Sequence, residues 1–225
     1  MAIHCKNLLK TYRSDGDVLI AVDGVNLEVA GGDFVVILGH SGSGKTTLLS
    51  LIGGLTRPDS GTVRIDDIDN WQQSDGALAV MRNKKIGFIF QFASLLPTLT
   101  VLENILLPLS FTRDPRGDRR YALELLERVG LGGRQDDLPG QLSGGQQRRV
   151  AIARSFINRP AVILADEPTG DLDETTEKEI LAIFNTFNKE GVTFLVVTHN
   201  TQLALTQERP RLFTMQRGAL REVSS

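Results

Sequence analysis

Gly39-His40-Ser41-Gly42-Ser43-Gly44-Lys45-Thr46 fits the phosphate-binding pattern G-x-x-x-x-G-K-[ST] at every fixed position, and its flanks are the ones that pattern requires. Upstream, Phe34-Val35-Val36-Ile37-Leu38 is an apolar run of strand length; downstream, Thr47-Leu48-Leu49-Ser50-Leu51-Ile52 suits a helix. A strand delivers the chain and a helix start receives an anion. Glycines let successive backbone N–H groups turn inward around a β-phosphate without Cβ clashes, and the helix N-terminus adds partial positive charge. Lys45 is expected to reach the β- and γ-phosphates and the Thr46 hydroxyl to ligate Mg²⁺, with Gly39 to Thr47 cradling a nucleoside triphosphate.

Composition narrows the setting. At 225 residues the chain has the length of one α/β domain carrying an inserted subdomain. A formal charge of −2, with Lys and Arg dispersed, leaves no basic footprint, so no nucleic-acid partner is expected. Cys5, the one cysteine, cannot form an internal disulfide; with no signal-peptide pattern, a reducing cytoplasm is expected. No apolar run approaches the roughly 18 to 20 residues of a membrane-spanning helix, so work at a membrane requires another chain to cross it.

Before the phosphate loop, Ile3 to Leu9, Val18 to Val22 and Val25 to Val29 read as an antiparallel β region broken at Ser14 to Asp17 and at Asp23-Gly24. Tyr12 stands between the first two pieces; spacing alone favours packing at a strand end over stacking on a base. After the loop, Gly53-Gly54 stops the helix, Thr62 to Ile65 is a strand, residues 77 to 84 are helical, and Ile86 to Phe90 is a strand that ends at Gln91. An amide at that sheet edge lies where open α/β folds hold ligands, although an isolated loop glutamine carries no such meaning.

From Phe92 to Pro160 the pattern turns helical, clearest at Val101 to Leu107 and at Asp118 to Val129, where Tyr121, Leu125 and Val129 share a face. Arg113 to Gly117 is the expected exposed loop of this segment. Leu142-Ser143-Gly144-Gly145-Gln146 then opens a helix: Ser143 is placed as its N-cap, and the two glycines bare the backbone there, a second anion site.

Ala161 to Ala165 is a buried strand ending in Asp166-Glu167, the Walker-B arrangement, with Asp166 placed for Mg²⁺. Side chains alternate along a strand, so the two acids are expected on different sides, which leaves Glu167 to face an attacking water as general base. Asp171-Leu172-Asp173 opens a helix to Lys189, and Val192 to Val197 is a strand with His199 near its tip, open between a structural and a catalytic role. Arg211 to Met215 and Ala219 to Val223 read as a closing hairpin.

Taken in order, the phosphate loop, Gln91, Leu142 to Gln146, Asp166-Glu167, Asp173 and His199 resemble the ATP-binding subunits of ABC transporters over essentially the whole chain. Its most specific part is Leu-Ser-Gly-Gly-Gln followed by the strand and Asp-Glu. Arg82 to Gln91, Leu95 to Thr100, Glu103-Asn104 and Thr169 to Asp173 look like the lipoprotein-releasing and macrolide-efflux branch; Phe92-Ala93-Ser94 matches it less closely.

The resemblance implies an α/β P-loop fold with a mainly parallel core sheet and an N-terminal antiparallel β region. Residues 1–91 and 161–225 form the nucleotide core and residues 92–160 an inserted helical subdomain. It makes Tyr12 the adenine-stacking aromatic, against the reading from spacing. Gln91 contacts Mg²⁺ or the attacking water, Asp166 holds the metal, Glu167 polarises the water, and His199 contacts the γ-phosphate. Ser143, Gly144, Gly145 and Gln146 bind ATP held by a second copy, while His40 occupies a variable position of the cradle. The implied partners are that second copy and an integral membrane permease, at the inner face of the cell membrane. The implied activity is ATP hydrolysis coupled to transport; an ATP switch that regulates a membrane partner without moving cargo is the alternative.

Overall fold

The computed structural model describes residues 2–14, 17–111, 118–201, 203 and 210–223. The expected turn at Asp15-Gly16 and the loop Arg113 to Gly117 lie outside them. Two sheets organise these residues. The first is antiparallel: β1 (Ile3–Ser14) pairs with β2 (Asp17–Val29) on one side and β4 (Ser60–Ile65) on the other, with β5 (Ile68–Asp69) at the edge. Three separate N-terminal pieces were expected. Instead β1 and β2 are long and continuous, because irregular register steps near Leu8 and Lys10 absorb the residues that break the apolar alternation.

The second sheet has six strands. β3 (Phe34–Leu38) lies between β8 (Thr193–Thr198) and β9 (Arg211–Gln216), parallel to both; β7 (Val162–Asp166) and β6 (Ile86–Ile89) continue the parallel set beyond β8. The terminal hairpin is confirmed, and β10 (Ala219–Glu222) adds the antiparallel edge. Strands buried on both faces read as continuous apolar runs, and their alternation divides two cores. Phe34, Val36, Ile163, Ala165, Phe194 and Val196 face one core, whereas Val35, Ile37, Val162, Leu164, Leu195 and Val197 face the other.

The second of these cores is closed by α1 (Lys45–Ile52), by residues of α2 (Asp75–Lys85) and by the antiparallel sheet. The first is closed by α3 (Val101–Leu106), α4 (Arg119–Arg128), α5 (Gly144–Phe156) and α6 (Glu174–Lys189). Phe194 stands at its centre, with Phe34 and Phe184 ring centroids each at 5.1 Å. The described part of segment 92–160 holds helices and no strand, and its apolar faces merge into this core. Local devices explain the Glu103-Asn104 pair: Glu103 completes a capping box with Thr100, and buried Asn104 bonds Leu96, Leu99 and Thr100 main-chain groups, shaping the turn before α3.

The antiparallel sheet is pinned beside Tyr12. Asp59 accepts from Lys10 Nζ at 2.9 Å, from Thr11 N at 2.6 Å and from the Thr11 hydroxyl at 2.8 Å. These donors, Lys10 foremost, hold the Asp59 carboxyl at about 2 against an ordinary 3.8. A depressed carboxyl contributes stability above its unfolded pKa and loses it as pH falls through the folded value. Asp59→Asn should therefore lower the melting midpoint at neutral pH, and the gap to the parent should close between pH 3.8 and about 2. A gap independent of pH in thermal melts would show that the charge of Asp59 is irrelevant.

Candidate functional site

The phosphate loop runs from the C-terminal end of β3 into α1. Gly44 has φ +106, and a Cβ there would lie 2.0 Å from Ala21 O, so the loop can sit against β2 only with glycine at this position. Lys45 is buried; its Nζ donates to Gly39 O at 2.6 Å and His40 O at 3.1 Å, which curls the side chain back along the cradle. The C-terminal hairpin braces the loop, since Gly218 N donates to Ser43 O at 3.0 Å and Gly218 O accepts from Asp23 N at 3.0 Å. That brace was not foreseen from sequence, where the hairpin read as a closing element.

Asp166 ends β7 and Glu167 follows it with φ 45, already out of the strand. Alternation was expected to send the two acids to different sides. It does not apply, because Glu167 takes a left-handed turn, its N–H donates to Val197 O at 2.9 Å, and both acids line one cleft. Glu167 Oε2 accepts from the Thr198 hydroxyl at 2.8 Å and His199 N at 3.2 Å; Oε1 lies 3.0 Å from His199 Nδ1 and 3.8 Å from Lys45 Nζ. Thr198 is thus an orienting residue that sequence reading passed over. Burial raises the Asp166 carboxyl above the usual range and neighbouring Glu167 adds to this, opposed by a Thr46 hydroxyl bond and by Lys45.

The cleft has a volume of about 560 Å³ and brings together Tyr12, His40 to Thr47, Gln91, Asp166, Glu167 and His199. Gly39 contributes its carbonyl to Lys45 rather than a lining surface. Tyr12, for which spacing favoured packing at a strand end, lies inside β1 and is 42% exposed. Its register partner is Leu19, which with Ala21 also lines the cleft. Cross-strand partners share a face, so the length of the hairpin was the missing signal for Leu19. Tyr12 and Leu19 give the cleft an apolar lining besides its acids, a surface suited to a flat ring.

These residues fit the nucleotide and its metal. The cradle tolerates no Cβ at Gly44, and a half-buried carboxyl bonded to the Thr46 hydroxyl, in a cleft that the Gln91 amide also lines, is an oxygen donor set suited to Mg²⁺. Thr46, Asp166 and Gln91 are the residues that would hold the ion, whose charge would offset that of the phosphates.

Ser143, Gly144, Gly145 and Gln146 do not line this cleft. Ser143 caps α5 as expected: its Oγ accepts from Gln146 N at 3.3 Å, and Gln146 Oε1 accepts from Ser143 N at 2.9 Å. Ser143 and Gly144 are exposed, and a Cβ at Gly144 would meet nothing within 4 Å. Gly145 is different, because a Cβ there would lie 2.8 Å from Thr176 Cγ2, on the first turn of α6 that Asp173 caps. The bared helix start therefore faces outward from its own chain.

A glycine cradle between a central parallel strand and its helix, with an Asp-Glu pair on the tip of β7, defines a P-loop nucleoside triphosphatase. Residues 22–170 match the ABC transporter family model. The chain is 43% identical over 219 residues to the lipoprotein-releasing system ATP-binding protein LolD of Myxococcus xanthus, covering 96% of this chain and 97% of that one. It is 45% identical over 224 residues to the macrolide export ATP-binding/permease protein MacB of Rhodopirellula baltica; the match covers 98% of this chain but only 32% of that protein. The solved dimeric post-hydrolysis state of the ATP-binding cassette MJ0796, bound to ADP and Pi, superposes with a TM-score of 0.89 at 40% identity, over 99% of both chains. The chain belongs to the ABC transporter family and is its ATP-binding cassette, an ABC ATPase.

Proposed function

We propose that the chain is the ATP-hydrolysing subunit of an export or lipoprotein-release transporter, pairing head to tail with a second copy around two ATP molecules and driving a separate permease. The observation that carries this reading is the division of the site: Lys45, Thr46, Gln91, Asp166, Glu167 and His199 share one cleft, while Ser143 and Gly144 at the start of α5 are exposed outside it. In the pair, the α5 start of one copy meets the γ-phosphate held by the other. Glu167 takes the proton of the attacking water, His199 orients Glu167 and the γ-phosphate, Lys45 stabilises charge on the phosphates, and Tyr12 stacks on adenine. Alignment and electrostatic stabilisation supply nearly all of such catalysis. ATP then forms part of the interface, so binding closes the pair and hydrolysis opens it.

The permease is assigned to an apolar groove of about 500 Å³ between α2, β6 and α5, where Val80, Phe90 and Phe111 are 51%, 47% and 74% exposed. Exposed aliphatic and aromatic side chains gathered in one groove offer an apolar seat for a partner helix, and here Arg82 and Arg154 border it. Residues 92–160 are proposed as the helical subdomain that carries one wall. Among the described residues no helix is long and apolar enough to cross a membrane, which fits a chain held at the inner membrane face by its partner. Val80→Glu with Phe111→Glu should leave basal ATPase activity within about twofold and cut the membrane-bound fraction about tenfold in cells making both subunits. Unchanged membrane recovery would remove the groove from the reading. Transport is preferred to a pure switch because the named relatives are export and release proteins; cargo movement by the vesicle-reconstituted complex tests it.

A further inference from the structure

Gln91 lies in a stretch without helix or strand between β6 and α3. That stretch is held from α5. Arg148 Nη1 donates to Phe90 O at 2.6 Å, Arg154 Nη2 to Ala93 O at 2.8 Å, and Arg154 Nη1 to Ser94 O at 2.9 Å. Carbonyls satisfy a guanidinium as a donor without neutralising its charge, so burying one in this way is costly. Arg148 is nevertheless buried, and burial pushes its pKa down, opposed by the charge of Asp171. Asp171 belongs to the loop that follows Asp166-Glu167 and takes a left-handed conformation, φ 61. Arg148 thus stands where the α5 helix, the Gln91 stretch and the Asp171 loop meet. The Phe90 carbonyl lies in the same rigid peptide plane as the Gln91 nitrogen, so fixing one fixes the other.

We propose that Arg148 is a positioning residue for hydrolysis: its bond to the Phe90 carbonyl sets Gln91 in the cleft and couples it to α5, with Arg154 as a second anchor. This rests on the reading of Gln91 as a hydrolysis residue. Its consequence is mechanical. The helix whose start faces the partner's nucleotide also holds the glutamine of its own cleft, so engagement at one site is passed to the other through three hydrogen bonds.

Arg148→Met keeps the apolar stem and removes the donors. In the full chain it should leave nucleotide affinity within about threefold and lower kcat at least about tenfold, and Arg148→Lys, with one donor for one carbonyl, should recover part of that loss. A double-mutant cycle separates positioning from general weakening. In a Gln91→Ala background Arg148→Met should cost nothing further, because the residue through which it acts is gone. A spin label introduced through Phe92→Cys, at a residue 72% exposed, reports the stretch directly; Cys5 is buried and its thiol is pushed up to about 12, so it does not compete for the label. Arg148→Met should sharpen the label's spectrum as the stretch gains motion. Losses that multiply in the cycle, or a spectrum that Arg148→Met leaves unchanged, would overturn the proposal while the Gln91 reading stands. If Gln91→Ala alone leaves kcat intact, that reading fails first and the proposal with it. Should Arg148→Met not fold, Arg148→Lys and Arg154→Met go through the same cycle and label experiment, with the same outcomes deciding.

Discussion

Glu167→Gln should bind ATP at least as well as the parent chain, hydrolyse it about 10² to 10⁴ times more slowly, and accumulate as a dimer in saturating ATP. The geometry gives each part of this result. Glu167 is held by the Thr198 hydroxyl and the His199 N–H through one oxygen, and an amide carbonyl accepts the same two bonds, so the turn at φ 45 survives. The lost charge is the one 3.8 Å from Lys45 Nζ, and its removal leaves that ammonium freer to serve phosphate. What disappears is the base. Binding energy still closes the pair, and the step that opens it no longer occurs. Gel filtration with and without ATP, beside a single-turnover assay, checks the result; a variant that stays monomeric at saturating ATP would contradict it.

Lys45→Ala and Ser143→Arg should both abolish turnover, by opposite routes. Lys45 is buried in the cradle with its ammonium on two loop carbonyls, and its removal strips the phosphates of their only adjacent cation within that loop. Nucleotide affinity in the isolated chain should fall by about two orders of magnitude. Ser143 lies outside the cleft at the exposed start of α5, so Ser143→Arg should leave that affinity nearly unchanged and block the face that meets the second copy. Equal affinity losses in titrations of the two monomers would mean that both anion sites act within one chain.

Much of this was legible because the motif residues sit at strand tips and helix starts, where local sequence rules operate. β3, β7 and β8 read directly, since burial on both faces leaves unbroken apolar runs. The cap at Ser143 also read directly, because capping is a property of a few neighbouring residues. Features set by distant segments did not. The length of β1 and β2 depends on register irregularities that no period reveals, and with it went Leu19 as a wall of the cleft. The shared orientation of Asp166 and Glu167 depends on a left-handed turn at a non-glycine residue, which alternation cannot anticipate. The brace from Gly218 to the phosphate loop and the grip of Arg148 on Phe90 join residues far apart in the chain. By residue type Arg148 is one more charged residue on a helix; only its burial marks it.

The division of each ATP site between two copies is tested most directly by mixing two disabled chains, each also carrying Glu167→Gln to suppress turnover. Lys45→Ala spoils the cradle of its own copy and Ser143→Arg the facing helix start, so a mixed pair keeps one intact site, made from the cradle of one and the α5 start of the other. In sedimentation experiments with ATP, each variant alone should remain monomeric, and an equal mixture should yield dimers holding about one nucleotide per pair. A mixture that stays as monomeric as its components would contradict the account.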